Sequence, residues 1–390
     1  MKTIGIVAEW NPFHKGHQKL VDTIRENDPD SVIVSCMSGS FTQRGEVGVV
    51  DKWTRADMAL RAGVDVVLEL SQTYAAQSME IFARGGVHTL MAFAPLDGLY
   101  CGSESGDVAA LNEAADFLRK NRALFEAHIH ALTQEGVSFG EASQDFLRAH
   151  ALSFGTDKAC PNDRLALSYR LSLPANVPMQ LVTRHSGHHS HAPVQGELSG
   201  TALRALLPHH LEKATAYLPQ TSVDILRALA NTAWPEAKED ILLHALKVTL
   251  LAMHPEEVAA RLAIRDGWER RFTSAVAHAS SMDEVLTLAQ TKSYSRARIS
   301  RLVLALLSPL PPCPSQVPYC RVLGFNEHGR ALIKAREGQT PLVVNTAKDA
   351  RKLTQSAHQV LEGDIRRQNL ADVLACQGQG RDYTHKPIIL

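Results

Sequence analysis

No two of the six cysteines, Cys36, Cys101, Cys160, Cys313, Cys320 and Cys376, stand in a C-x-x-C pair. In a chain of 390 residues this argues against a zinc ribbon and against a disulfide framework. Thiols that are buried or idle in a reducing cytoplasm are the expectation. No stretch of about eighteen uninterrupted apolar residues occurs, so no membrane span and no membrane partner are expected. The first residues lack a basic-then-apolar leader, so no secretory signal is expected either. Net charge is missing too, since 41 Lys and Arg balance 41 Asp and Glu.

That balance is uneven along the chain. Residues 1–210 hold 18 basic against 23 acidic side chains, and residues 211–390 hold 23 against 18. From 285 onward the count is 15 against 7, a basic tail that fits either a bound polyanion or a solvated face.

Short β-branched runs recur at 3–9 (TIGIVAE), 31–37 (SVIVSCM), 65–70 (DVVLEL), 98–102 (GLYCG) and 179–184 (MQLVTR). Helix-like segments separate them; one has Asp51 as an N-cap candidate and Gly63 as its closing glycine. Near-continuous apolar strands alternating with helices predict an α/β fold with a parallel sheet covered on both faces. From about 209 the apolar spacing turns helical, until PLPPCPSQVP (309–318) breaks it and a smaller mixed segment follows. The division expected is 1–210 for the α/β domain and 211–390 for a mostly helical, basic region.

NPFHKGH (11–17) falls where the first strand ends and a helix begins. Parallel sheets bind ligands beyond the carboxyl ends of their strands. Two histidines three apart could ligate a metal or simply settle at a helix start, but H-x-G-H lacks the glutamate of the H-E-x-x-H zinc motif. The position favours phosphate. The first N–H groups of a helix are unpaired and carry its positive dipole end. Gly16 clears space for a phosphate, and His14 and His17 can donate to it. A second element, LSGTALRALL (198–207), offers the hydroxyls of Ser199 and Thr201 and the charge of Arg204. Standing alone it could be an ordinary capped helix.

Strand, N-P-F, H-x-G-H and helix, followed by S-x-T-x-x-R, resemble the HIGH-type nucleotidyltransferase superfamily. GIVAEWNPFHKGH, SGSFTQRGEVGVVDKWTRADMAL, GVDVVLELS, YAAQSMEIFARGGV, CGSESGD, PNDRLALSY and YCRVLGFNEHG together resemble the tRNA(Met) cytidine acetate ligase family, over nearly the whole chain. The resemblance implies a Rossmann-like nucleotidyltransferase domain that uses ATP, with Mg²⁺ shielding the triphosphate, to turn acetate into acetyl-adenylate. The acetyl group then passes to the wobble cytidine of elongator tRNA(Met), giving N4-acetylcytidine. It also implies that the turn holding Val7, Glu9, Asn11, His14, Gly16, His17 and Leu20 receives ATP. Gly102 and Asn162 are expected at the adenosine, Arg184 at the nucleotide or its phosphates, and Ser199 and Thr201 at the phosphates. His14, His17 and Arg204 are the expected catalytic residues. Ser40 and Asp163 stand where the family pattern leads one to expect asparagine, and RHSGHHSHAP replaces a more aromatic loop.

Four expectations concern other contacts. Gln43 and Arg44, in SFTQRGE after the second strand, face substrate or RNA unless they form a plain surface loop. Lys292, Tyr294, Arg296, Arg298 and Arg301 in KSYSRARISR read as phosphate contacts with base stacking on the tyrosine, or as a solvated helix end. Arg321, Lys348, Arg351 and Lys352 are weaker members of the same group. The histidines of 185–191 suit phosphate, RNA, metal or plain solvation. Rival functions are a nucleotidyltransferase adenylylating a coenzyme precursor and a non-catalytic, ATP-sensing RNA-binding protein. The sequence leaves the oligomeric state open.

Overall fold

The computed structural model describes residues 1–184, 198–207, 209–231, 234, 236–264, 266–336 and 340–390. Five parallel strands, β1 (Thr3–Ala8), β2 (Val32–Ser38), β3 (Val66–Leu70), β4 (Gly98–Ser103) and β5 (Met179–Thr183), lie in the order β5-β4-β1-β2-β3. Ile4 of β1 aligns with Ile33 on one side and Gly98 on the other.

The strands sort their side chains by the two-residue period. Val7, Val34, Cys36, Leu68, Leu99 and Cys101 enter the core shared with the helices Met79–Phe93, Val108–Lys120 and Pro161–Ser172. Ile4, Ile6, Ile33, Met37, Val67 and Tyr100 face the helices Lys15–Asn27, Lys52–Arg61, Gly200–Leu206 and Gln220–Ala230. Each such Ile or Leu, fully buried, contributes roughly 1.5–3 kcal/mol. Asp51 caps its helix by accepting the Thr54 N–H at 2.8 Å, and Gly63 follows the helix with φ of +104°. A side chain on Gly86 would collide with Val7, so this glycine is what lets the helix Met79–Phe93 lie against β1.

The second half departs from the expected division. Helices Glu239–Leu251, Pro255–Leu262, Trp268–His278, Met282–Ala289 and Arg296–Leu307 do share a core of their own. After the proline-rich break, however, the chain rejoins the sheet. β6 (Cys320–Phe325) runs antiparallel to β3, while β7 (Leu342–Val343) and β8 (Ile388–Ile389) pair with β6. Residues 211–390 are therefore not one separate helical unit, because backbone pairing along β3 needs strands from beyond residue 319.

Charge, not only apolar area, seals this join. Lys52 Nζ meets the two Glu69 carboxylate oxygens at 2.8 and 3.0 Å and Asp382 at 2.7 Å. Arg321 meets Glu69 at 3.0 Å and Asp382 at 2.7 Å. All four are buried. Burial alone would raise the Asp382 pKa, but Lys52 and Arg321 hold it at about 2. The expectation that Arg321 reaches RNA is thereby corrected: its guanidinium is inside, neutralising two carboxylates. Among the described residues no helix is long and apolar enough to cross a membrane.

Candidate active site

β1 ends at Ala8, and the next six residues turn sharply before the helix Lys15–Asn27 begins. Trp10 adopts φ of +46°, uncommon for a bulky residue, and the Asn11–Pro12 peptide is cis. Side chains pin the turn. Trp10 Nε1 donates to Ser35 Oγ at 2.8 Å, Phe13 is fully buried, and Asn11 Oδ1 accepts the Val49 N–H at 2.7 Å. Asn11 Nδ2 is buried with no partner among the described residues, although it belongs to the lining of the cavity.

His14 is the N-cap. Its Nδ1 accepts the Gly16 N–H at 3.1 Å, while His17 Nδ1 accepts the His14 N–H at 3.2 Å. The two rings stack with centroids 3.6 Å apart. A neutral imidazole that accepts at Nδ1 carries its proton on Nε2. Both rings are neutral at physiological pH. Burial, then the Arg184 and Arg204 charges, push His14 down to about 3. Burial, then His14 and Arg184, hold His17 well below its ordinary value, against the opposing pull of the Pro12 carbonyl. His14 therefore offers a donor that does not depend on protonation.

Ser199 caps the helix Gly200–Leu206 by accepting the Ala202 N–H at 3.2 Å. This places Arg204 across from the first turn, where Nη1 donates to the Asn11 carbonyl at 3.1 Å and Nη2 to Thr201 Oγ1 at 3.1 Å. Burial lowers the Arg204 pKa, with Glu46 and Glu9 opposing. A methyl on Gly200 would sit 3.2 Å from Arg204 Nη1 and 3.8 Å from His14 Nε2. Both donors thus converge on the space that this glycine leaves open. Gly200→Ala is expected to weaken ATP binding about tenfold, read by calorimetry, since the methyl takes up room a phosphate oxygen would use.

The other wall comes from the ends of β4 and β5. Asp163 accepts the Ser103 hydroxyl and the Glu104 N–H, the latter at 3.0 Å; Glu104 accepts Asn162 Nδ2 at 2.6 Å and the Asp163 N–H at 3.0 Å. These exchanged bonds fasten CGSE to PND and fix Gly102 beside Asn162. The stem of Arg184 crosses Gly102, where a Cβ would come within 2.8 Å of Arg184 Cδ. Glu104, Cys160 and Asp163 could in principle gather a cation, but the carboxylates already serve these N–H and O–H donors.

All twelve residues expected at the nucleotide, from Val7 to Thr201, line one cavity of about 250 Å³ together with Arg204, Gln43 and Arg44. Five expected RNA contacts lie outside its lining: Lys292, Tyr294, Arg296, Arg298 and Arg301. Base stacking on Tyr294 is ruled out by its surroundings. The ring is buried, stacked on Trp268 at 4.2 Å with Arg298 over it at 3.9 Å, and its hydroxyl meets Asp266 at 3.0 Å. Arg296 pairs with Asp283, and Arg301 Nη1 donates to the Gln43 carbonyl at 3.1 Å. The histidines of 185–191 lie outside the described residues.

Sequence reading missed several lining residues. Lys19 Nζ reaches the Thr183 carbonyl at 3.0 Å, and Met79, Phe82, Leu165 and Tyr169 supply an apolar wall. Lys19 could have been found as the next basic residue on the helix after His17. The apolar four carry ordinary core spacing, with nothing local to mark a cavity.

The buried histidines set a pH dependence. Both folded pKa values lie below the unfolded 6.5, that of His14 at about 3, so unfolding takes up protons below pH 6.5 and stability falls as pH falls from there. The stability advantage of the wild type over His14→Asn is expected to shrink by about 1.4 kcal/mol per pH unit below 6.5. Urea unfolding at stepped pH measures it.

Residues 1–385 match the family model described as HIGH Nucleotidyl Transferase. A tRNA(Met) cytidine acetate ligase of Listeria monocytogenes is 34% identical over 380 residues, covering 95% of this chain and 94% of the relative. Another, from Bacillus subtilis, is 30% identical over 411 residues, covering 100% and 97%. Crystal structures of Thermotoga maritima TmcAL, one apo and one bound with alpha-thio ATP, superpose with TM-scores of 0.89 and 0.85 at 27% identity, each covering both chains fully. The chain belongs to the HIGH nucleotidyl transferases and, within them, to the family of the tRNA(Met) cytidine acetate ligases.

Proposed function

We propose that this chain joins acetate to ATP and passes the acetyl group to the wobble cytidine of elongator tRNA(Met). The observation that carries the first step is the convergence of His14 Nε2 and Arg204 on the gap at Gly200, beside the amino end of the helix Lys15–Asn27. A triphosphate fits this donor set. Asn11 Nδ2 adds a buried donor with no partner among the described residues, and Gly200 leaves room for close approach.

An acetate oxygen attacks the α-phosphorus, the bond to the bridging oxygen breaks, and pyrophosphate leaves. Negative charge grows on the α-phosphoryl oxygens and on the leaving group, where the neutral His14 N–H, Arg204 and the positive dipole end of the helix Lys15–Asn27 meet it. In the second step the cytidine amine attacks the acetyl carbon, AMP leaves from it, and the nitrogen gives up a proton. Cytosine's amine is a weak nucleophile, so an activated acyl group and accurate placement matter more than a strong base. Magnesium accompanying the triphosphate would rest mainly on phosphate oxygens and water.

Lys292, Arg296 and Arg298 remain the basic side chains proposed for the RNA backbone. Incubating the purified chain with ATP, acetate and tRNA, followed by nucleoside mass spectrometry, tests the reading. N4-acetylcytidine that requires both small substrates supports it; unmodified tRNA refutes it.

A further inference from the structure

Arg301 sits in a stretch whose basic character points to RNA, yet its guanidinium turns inward to the Gln43 carbonyl at 3.1 Å. Burial pushes its pKa down to about 10. Gln43 belongs to a tight loop closed by pairing of Phe41 with Val47 and by Thr42 N–H donating to the Glu46 carbonyl at 2.9 Å. The same Gln43 donates its own N–H to Glu9 Oε1 at 2.7 Å and its side-chain amide to the Gln77 carbonyl at 2.8 Å. Glu9, Gln43 and Arg44 all line the nucleotide cavity.

A second contact joins the same two elements. Gly45 has φ of +80°, and a Cβ there would lie 2.8 Å from the Arg301 nitrogen and 2.9 Å from the Ser300 carbonyl carbon. Backbone thus touches backbone, and only glycine permits it. The helix Arg296–Leu307 therefore carries basic side chains at its start and braces the cavity rim one turn later.

We propose that Arg301 is a positioning residue for the nucleotide cavity, acting through the Gln43 carbonyl to hold the 41–47 loop, and with it Glu9 and Arg44, against bound ATP. The inference rests on the nucleotide reading of the cavity and revises the RNA reading of this one arginine. Losing a charged donor at this brace is worth about tenfold or more in affinity.

The test compares wild type, Arg301→Met and Gly45→Ala, using ATP binding by calorimetry and acetate-dependent pyrophosphate exchange without RNA. The expected result is that both variants raise the ATP Kd and KM about tenfold while kcat changes by less than about threefold. The salt dependence of tRNA binding should stay at the wild-type slope in both. Gly45→Ala removes no charge, so its agreement with Arg301→Met identifies the brace as the cause. If Arg301→Met does not fold, Gly45→Ala decides alone, and an unchanged ATP Kd there overturns the proposal. An Arg301→Met protein with normal ATP affinity and a salt slope lower by about one also overturns it, since that is the signature of a lost phosphate contact. A wild type that binds ATP but exchanges no pyrophosphate would refute acetate activation while leaving Arg301 to be judged by Kd.

Discussion

Replacing His14 with alanine is expected to slow acetate-dependent pyrophosphate release about 10²–10³-fold, the usual loss when one donor to a developing oxyanion is removed. The ring is fixed by a bond that also defines its chemistry. Because Nδ1 accepts the Gly16 N–H, the Nε2 proton is left for the ligand, and the depressed pKa keeps the ring in that state. Alanine loses the helix cap as well, at about 1 kcal/mol of stability. His14→Asn separates the two effects, because the asparagine oxygen can still cap while no donor reaches the Gly200 gap. It should recover most of the stability and little of the rate. The wild-type rate should show no ionisation from His14 above pH 6.5. Steady-state pyrophosphate release across pH, with urea midpoints for each variant, checks every part.

Arg321→Met is expected to cost about 3–5 kcal/mol of stability, the largest loss foreseen for any single residue outside the cavity. The change leaves Lys52 alone between Glu69 and Asp382, so two buried carboxylates share one cation. Methionine replaces the stem but not the charge. The denaturant midpoint should fall sharply, whereas Lys348→Ala, at an exposed position, should stay within about 0.5 kcal/mol of wild type. An Arg321→Met protein as stable as Lys348→Ala would mean that the four charges do not hold β3, β6 and the C-terminal segment together.

Much of the α/β half was legible because β1 to β4 are buried on both faces. The runs read at 3–9, 31–37, 65–70, 98–102 and 179–184 coincide with β1 to β5 to within a residue or two. The cavity residues meet because β1, β4 and β5 end at the same edge, which follows from a parallel sheet. Other features depend on partners too distant for local pattern to reveal. YCRVLGF could have been read as a strand, but the antiparallel pairing of β6 with β3 spans some 250 residues of chain. β7 and β8 are two residues each, too short to show a period. A charge inside an apolar run, as at Arg321, is a sign of burial, yet nothing near it announces residues 52, 69 and 382. Tyr294 read as a stacking platform because its neighbours are basic. Trp268, which covers it, lies outside that stretch. Arg301 shares a short basic stretch with Arg296 and Arg298, and only the fold shows that it points to Gln43.

The most direct test is acetate-dependent exchange of labelled pyrophosphate into ATP by the purified chain with no RNA present. Exchange that rises with acetate, and that His14→Ala suppresses, is the expected result. No exchange, or exchange indifferent to acetate, from a protein that still binds ATP would contradict the assignment of this cavity to acetate activation.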